Sequence, residues 1–198
     1  MGCWGIRAFE SDEGLDAVGT IRQNLPADGK LELKTVLALL QRDGWCSPPE
    51  PMEGHSHTSP MALAELMVKF MDQNLERLDY DDPQLAKEKK FASITSFTAD
   101  RESIQWIKKY LSATLRHSRI IAEFQAKEGQ PRGGWFDEKD WFGWQTHMEQ
   151  LIGRMDQLLC SSEPVIQLIR TAEQRMEVQA ARANGRRWDE KGEGNDKV

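Results

Sequence analysis

Apolar residues recur along this chain at steps of three and four, and almost nowhere at steps of two, which is the pattern of amphipathic helices. Leu15, Val18, Ile21 and Leu25 form one stripe over residues 13–24, with Ser11 or Asp12 as its cap and Pro26-Ala-Asp-Gly29 as its end. Leu33, Val36, Leu37 and Leu40 repeat the spacing over residues 31–42, which stop at Asp43-Gly44. Residues 46–59 hold three of the eight prolines and no periodicity, so they read as a loop and as the best internal break. Ser59-Pro60 opens the next helix, because proline at the first helical position forfeits no hydrogen bond. Leu63, Leu66, Met67, Phe70, Met71, Asn74, Leu75 and Leu78 make its broad inner face, with Glu65 and Lys69 assigned to the polar side.

Asp82-Pro83 repeats the start signal and leads a weaker helical segment through Phe91, Ile94 and Phe97. Thr98 or Asp100 caps a long helix to about residue 127, with Ile104, Ile107, Tyr110, Leu111, Leu115, Ile121 and Phe124 inward. After the glycine-rich break at 129–134, residues 138–159 place Trp141, Trp144, Met148, Leu151, Ile152, Met155, Leu158 and Leu159 on one face. Pro164 opens a last helix through Val165, Leu168, Ile169, Ala172 and Met176. The pattern predicts an all-α fold, a bundle of six or seven helices in one domain over residues 1–185. The polar stretch 186–198 is expected to be a disordered tail.

Composition narrows the function classes. The 26 Lys and Arg against 32 Asp and Glu leave a net charge of −6, which argues against a nucleic-acid surface. Arg182, Arg186, Arg187 and Trp188 are the nearest thing to one, and Asp189, Glu190, Glu193 and Asp196 cancel their field. No apolar run is long enough to span a bilayer. Cys3, Cys46 and Cys160 are odd in number and widely spaced, the usage of reduced thiols. Together these features lead us to expect a cytoplasmic protein that binds neither membrane nor nucleic acid.

Motifs for nucleotide, zinc or di-iron chemistry do not occur. The chain has no phosphate-binding loop, no nucleophile elbow and no Cys-x-x-Cys, and none of its four histidines follows an acid by three positions. No cofactor is expected. His55 and His57 are spaced to chelate a metal from a loop, or are incidental to a solvated one. The segment 134–147 is richer. Trp135, Phe136, Trp141 and Trp144 suit either a partner-binding surface or a core with a polar edge. Asp140 and His147, seven residues apart, would share a helical face and suit acid–base work in an aromatic pocket; His117 is a lesser candidate. Two functions therefore stand side by side. One is a non-enzymatic interaction protein of inhibitor or immunity type, and the other is a hydrolase or transferase using a histidine–carboxylate pair.

The opening block, Met1-Gly-Cys-Trp-Gly5 followed by Phe9-Glu-Ser-Asp12-Glu and Leu15-Asp16, is unusual for a chain end. It predicts an ordered N-terminus, with Trp4 and Phe9 plugging the bundle, Gly2 and Gly5 permitting close approach, and Asp12 capping the first helix. The block resembles the start of an uncharacterised, mostly bacterial family, domain of unknown function 4259, whose members open Met-Gly-x-Trp-Gly and continue Phe-Asp/Glu-Asn-Asp. The resemblance covers about 25 residues and departs from the family at Ile6-Arg7-Ala8. It implies a compact cytoplasmic protein and carries no activity with it.

Overall fold

The computed structural model of this chain describes residues 2–51, 58–75, 78, 89–131 and 138–169. Five α-helices lie among them: α1 (Asp12–Gln23), α2 (Leu33–Arg42), α3 (Ser59–Asp72), α4 (Arg101–Lys127) and α5 (Trp141–Leu159). A three-stranded sheet accompanies them, built from β1 (Lys30–Glu32), β2 (Ser96–Asp100) and β3 (Val165–Gln167). The fold is mostly helical, but the expectation of a purely all-α bundle of six or seven helices is corrected on both counts. The chain divides into two units, Met1–Leu168 and Ile169–Val198. The second lies outside the described residues apart from Ile169, as do the expected boundary at 185 and the tail beyond it.

Strand β2 is central, parallel to β1 with Leu31 opposite Phe97 and antiparallel to β3 with Ala99 opposite Ile166. Phe97 and Ala99 are fully buried and their neighbours half-buried. That is true alternation, confined to five residues. Gly29 makes the entry to β1 possible. Its φ of +71 suits glycine, a Cβ there would fall 2.7 Å from the Ser93 carbonyl oxygen, and its own carbonyl accepts from Thr95 and Ser96. Residues 31–32, expected to begin a helix, belong to β1, and Val165 belongs to β3 rather than to a helix opened by Pro164.

Helix α3 packs against α1, α4 and α5. Every residue from Ser59 to Met67 is buried, the condition of a helix enclosed on all sides. Phe70 meets Phe91 and Phe97 edge-on at 6.4 and 5.2 Å between ring centres, tying α3 to the sheet. Helices α4 and α5 run beside one another, fastened by Lys108–Asp156, by Arg119 to Gln145 and Glu149, and by Arg101 on the Leu159 carbonyl at the end of α5 and the Ser161 carbonyl just past it. Ile121 and Phe124, expected inward, are 41% and 60% exposed, whereas Ala122 between them is buried.

Asp100 ends β2 and caps α4, accepting from the Ser103 amide at 2.9 Å and the Ser103 hydroxyl at 2.6 Å. Burial pushes its carboxyl up, but these hydrogen bonds outweigh it and hold the group below its ordinary value. A lowered folded-state value means the cap stabilises fully above the ordinary carboxylate range and loses its effect as pH falls through the lowered value. Asp100→Asn should therefore cost stability near neutral pH, by up to about 1 kcal/mol, with the difference narrowing as pH falls below the ordinary carboxylate value of about 3.9. Urea melts of both proteins near neutral pH and below that value check this.

Candidate functional site

The N-terminal block is ordered, though not as a plug. Gly2–Trp4 folds back on Glu10–Asp12: the Trp4 amide donates to the Glu10 carbonyl and the Asp12 amide to the Gly2 carbonyl, both at 3.0 Å. The Gly2 amide donates to Asp12 Oδ2 at 2.5 Å. Asp12 thus fastens the strand-like end, while Ser11 is the residue that caps α1, its hydroxyl accepting from the Gly14 amide. Gly5 lies in the connecting loop, its carbonyl accepting from the Cys3 thiol.

Within this loop, Ala8–Glu10 forms one 3-10 turn. The first amides of any helical turn have no partner inside it, and here those amides face the protein interior. Glu65 of α3 supplies the acceptor. Its Oε1 takes the Ala8 amide at 2.8 Å, and its Oε2 takes the Phe9 amide at 3.4 Å, a much weaker contact. The same Oε1 lies 2.7 Å from Nε2 of His147 on α5. Glu65 is 5% exposed, so the expectation that it sits on the polar side of its helix is overturned. A buried carboxylate needs this many partners to be tolerated. Three segments distant in sequence meet on one side chain.

Beside this clasp lies a cleft of about 910 Å³ between the N-terminal loop, α3 and α5. Trp4 and Phe9 form its aromatic side, Leu15, Val68 and Leu151 extend the apolar wall, and Glu65 and His147 stand at its inner edge. Lys69 Nζ sits 5.5 Å from the centre of the Phe9 ring, and Arg154 pairs with Asp72 across α5 and α3. Trp4 is 61% exposed, the reverse of its expected role as a core plug, whereas Ala8 nearby is fully buried.

His147 lines the cleft, and its recorded partner is Glu65; Asp140 is half-buried in the 3-10 turn that precedes α5. His117 is exposed on α4. Trp141 and Trp144 are 6% and 2% exposed and stack at 5.7 Å, which places both in the core rather than on a contact surface. Trp135, Phe136, His55 and His57 lie outside the described residues. Cys46 is buried, and that burial first of all, with Asp43 and Asp16 nearby, pushes its thiol up despite a contact to Thr20. Among the described residues no group of three or more His, Cys, Asp or Glu is placed to hold a metal ion. Nor is any helix among them long and apolar enough to cross a membrane. No protein-family model, curated protein or solved structure matches the chain.

Proposed function

We propose that this chain is a protein-interaction module, of inhibitor or immunity type and without catalysis, whose contact surface is the cleft walled by Trp4. The observation that carries this reading is the use made of Glu65. The carboxylate nearest His147 is already bound by backbone amides, so the pair is spent on holding the loop that presents an exposed indole. Exposed tryptophan beside a concave surface is the usual anchor of a protein contact. Unpaired cysteines at positions 3, 46 and 160 support a cytoplasmic location on this reading, and the opening block is taken as that of domain of unknown function 4259.

Capture of partners from native lysate on the immobilised full chain tests the proposal when repeated with Trp4→Ala. Because Trp4 is mostly exposed, the substitution should leave stability within about 0.5 kcal/mol while weakening the captured contact by about tenfold or more. Identical partners at identical yield on both proteins would defeat the reading. The alternative, a hydrolase or transferase, draws on the half-buried position of His147 against a carboxylate at the cleft edge. It requires turnover that His147→Gln abolishes in a protein still folded.

A further inference from the structure

The cleft has a chemistry more specific than its shape. Its charged side chains are Arg7, Lys69 and Arg154 against Glu10, Glu65 and Asp72, equal in number. Each carboxylate is engaged inside the fold: Glu10 accepts from the Arg7 amide at 3.0 Å, Asp72 pairs with Arg154, and Glu65 holds the clasp. With the two signs equal in number, neither sets the field of the cleft, and long-range attraction to an ionic ligand is weak there.

What the cleft offers instead is amide groups. Asn74, Gln150 and Gln157 are exposed along its edge, and their side chains make no hydrogen bond to any described residue. A side-chain amide presents both donors and an acceptor, the complement of a peptide bond. Gln150 and Gln157 are seven residues apart on α5, so they share a face about 10 Å apart along the axis. That distance is about three residues of extended chain. Trp4, which lines the same cleft from the N-terminal loop and is mostly exposed, is a platform for an apolar or aromatic side chain.

We propose that the cleft takes an extended, uncharged segment of a partner polypeptide, its backbone read by Gln150 and Gln157 and one aromatic side chain laid on Trp4. This rests on the interaction reading above and adds to it the kind of segment recognised.

The test uses the full-length, nitrogen-15-labelled protein and capped pentapeptides, acetyl-Ala-Ala-X-Ala-Ala-amide, with X as Trp, Leu, Glu or Lys. The Trp peptide should shift the Trp4 indole and the Gln150 and Gln157 side-chain amide resonances. It should bind about tenfold more tightly than the Glu and Lys peptides, with the Leu peptide between. Its affinity should be the same at about 50 and about 500 mM NaCl, where an ionic contact would weaken. Gln150→Ala with Gln157→Ala, both at exposed positions, should lower that affinity without altering the melting temperature. Equal or tighter binding of a charged peptide, or salt-sensitive binding, would overturn the inference while leaving the interaction reading intact. Shifts absent from the cleft with all four peptides would also overturn it. Lysate capture that ignores Trp4→Ala defeats the interaction reading itself, so the two failures are told apart.

Discussion

Glu65→Ala is expected to destabilise the protein by about 3–5 kcal/mol, the cost of removing one partner from a buried charged cluster. The size follows from what remains behind. The Ala8 amide loses its 2.8 Å acceptor, the Phe9 amide its weaker one, and His147 Nε2 its partner at 2.7 Å. Each orphaned buried group costs about 1–3 kcal/mol. Ala8 is fully buried and has no route to water, while Phe9 and the 14% exposed His147 side chain meet solvent only where they line the cleft. At about 2–4 °C per kcal/mol for a domain of this size, the melting temperature should fall by roughly 10 °C. Glu65→Gln keeps one acceptor oxygen and should lose less. Calorimetry on the three proteins checks the order.

Gly14→Ala should also destabilise the protein, although alanine is the better helix former. A Cβ at Gly14 would lie 1.9 Å from the Ala8 carbonyl oxygen and 2.5 Å from its carbon. Both are backbone atoms, and Ala8 is held from the far side by Glu65. The helix gains about 1 kcal/mol from propensity, whereas forcing buried backbone apart costs about 1–3 kcal/mol, occasionally more. We expect a net loss of up to about 2 kcal/mol in denaturant melts. Gly19 of the same helix is the matched control, since nothing lies within 4 Å of a Cβ there. Gly19→Ala should stabilise by up to about 1 kcal/mol. Were both substitutions stabilising, the N-terminal turn would not be packed on α1 as described.

The helices were legible wherever their own sequence decides them. Ser11 ahead of the Val18–Ile21 stripe, Ser59-Pro60 and Asp100 are local start signals, and helices begin at each. The sheet was illegible because its strands are three to five residues long. Lys30–Glu32 also runs straight into α2, so its one buried residue, Leu31, extends a helical stripe equally well. Phe124 differs for another reason: spacing marks an apolar stripe along α4, but in its last turns the small Ala122 is the side chain that is buried.

The site was half legible. His147 stood out as a histidine beside aromatics, yet its partner lies 82 residues away, beyond the reach of spacing. A signal for Glu65 did exist. In Pro60-Met-Ala-Leu-Ala-Glu-Leu-Met67 it is the lone polar side chain. A run so apolar makes a helix buried all round, whose single carboxylate must then find partners inside. Trp4 was read correctly as part of an ordered terminus and wrongly as core, because pairing of Gly2–Trp4 with Glu10–Asp12 holds the backbone while leaving the indole outside.

The central claim is that one carboxylate fastens the N-terminal loop to α3 and α5 and so builds the wall of the cleft. Amide hydrogen exchange at Ala8, followed by NMR in the native protein and in Glu65→Gln, tests it most directly. The Ala8 amide should be protected in the native protein. In the variant that protection should drop by about tenfold or more, one hydrogen bond's worth, while Ile107 and Leu111 in the α4 core keep theirs beyond what the overall stability change explains. An Ala8 amide that exchanges freely in the native protein, or that is equally protected in both, would contradict it.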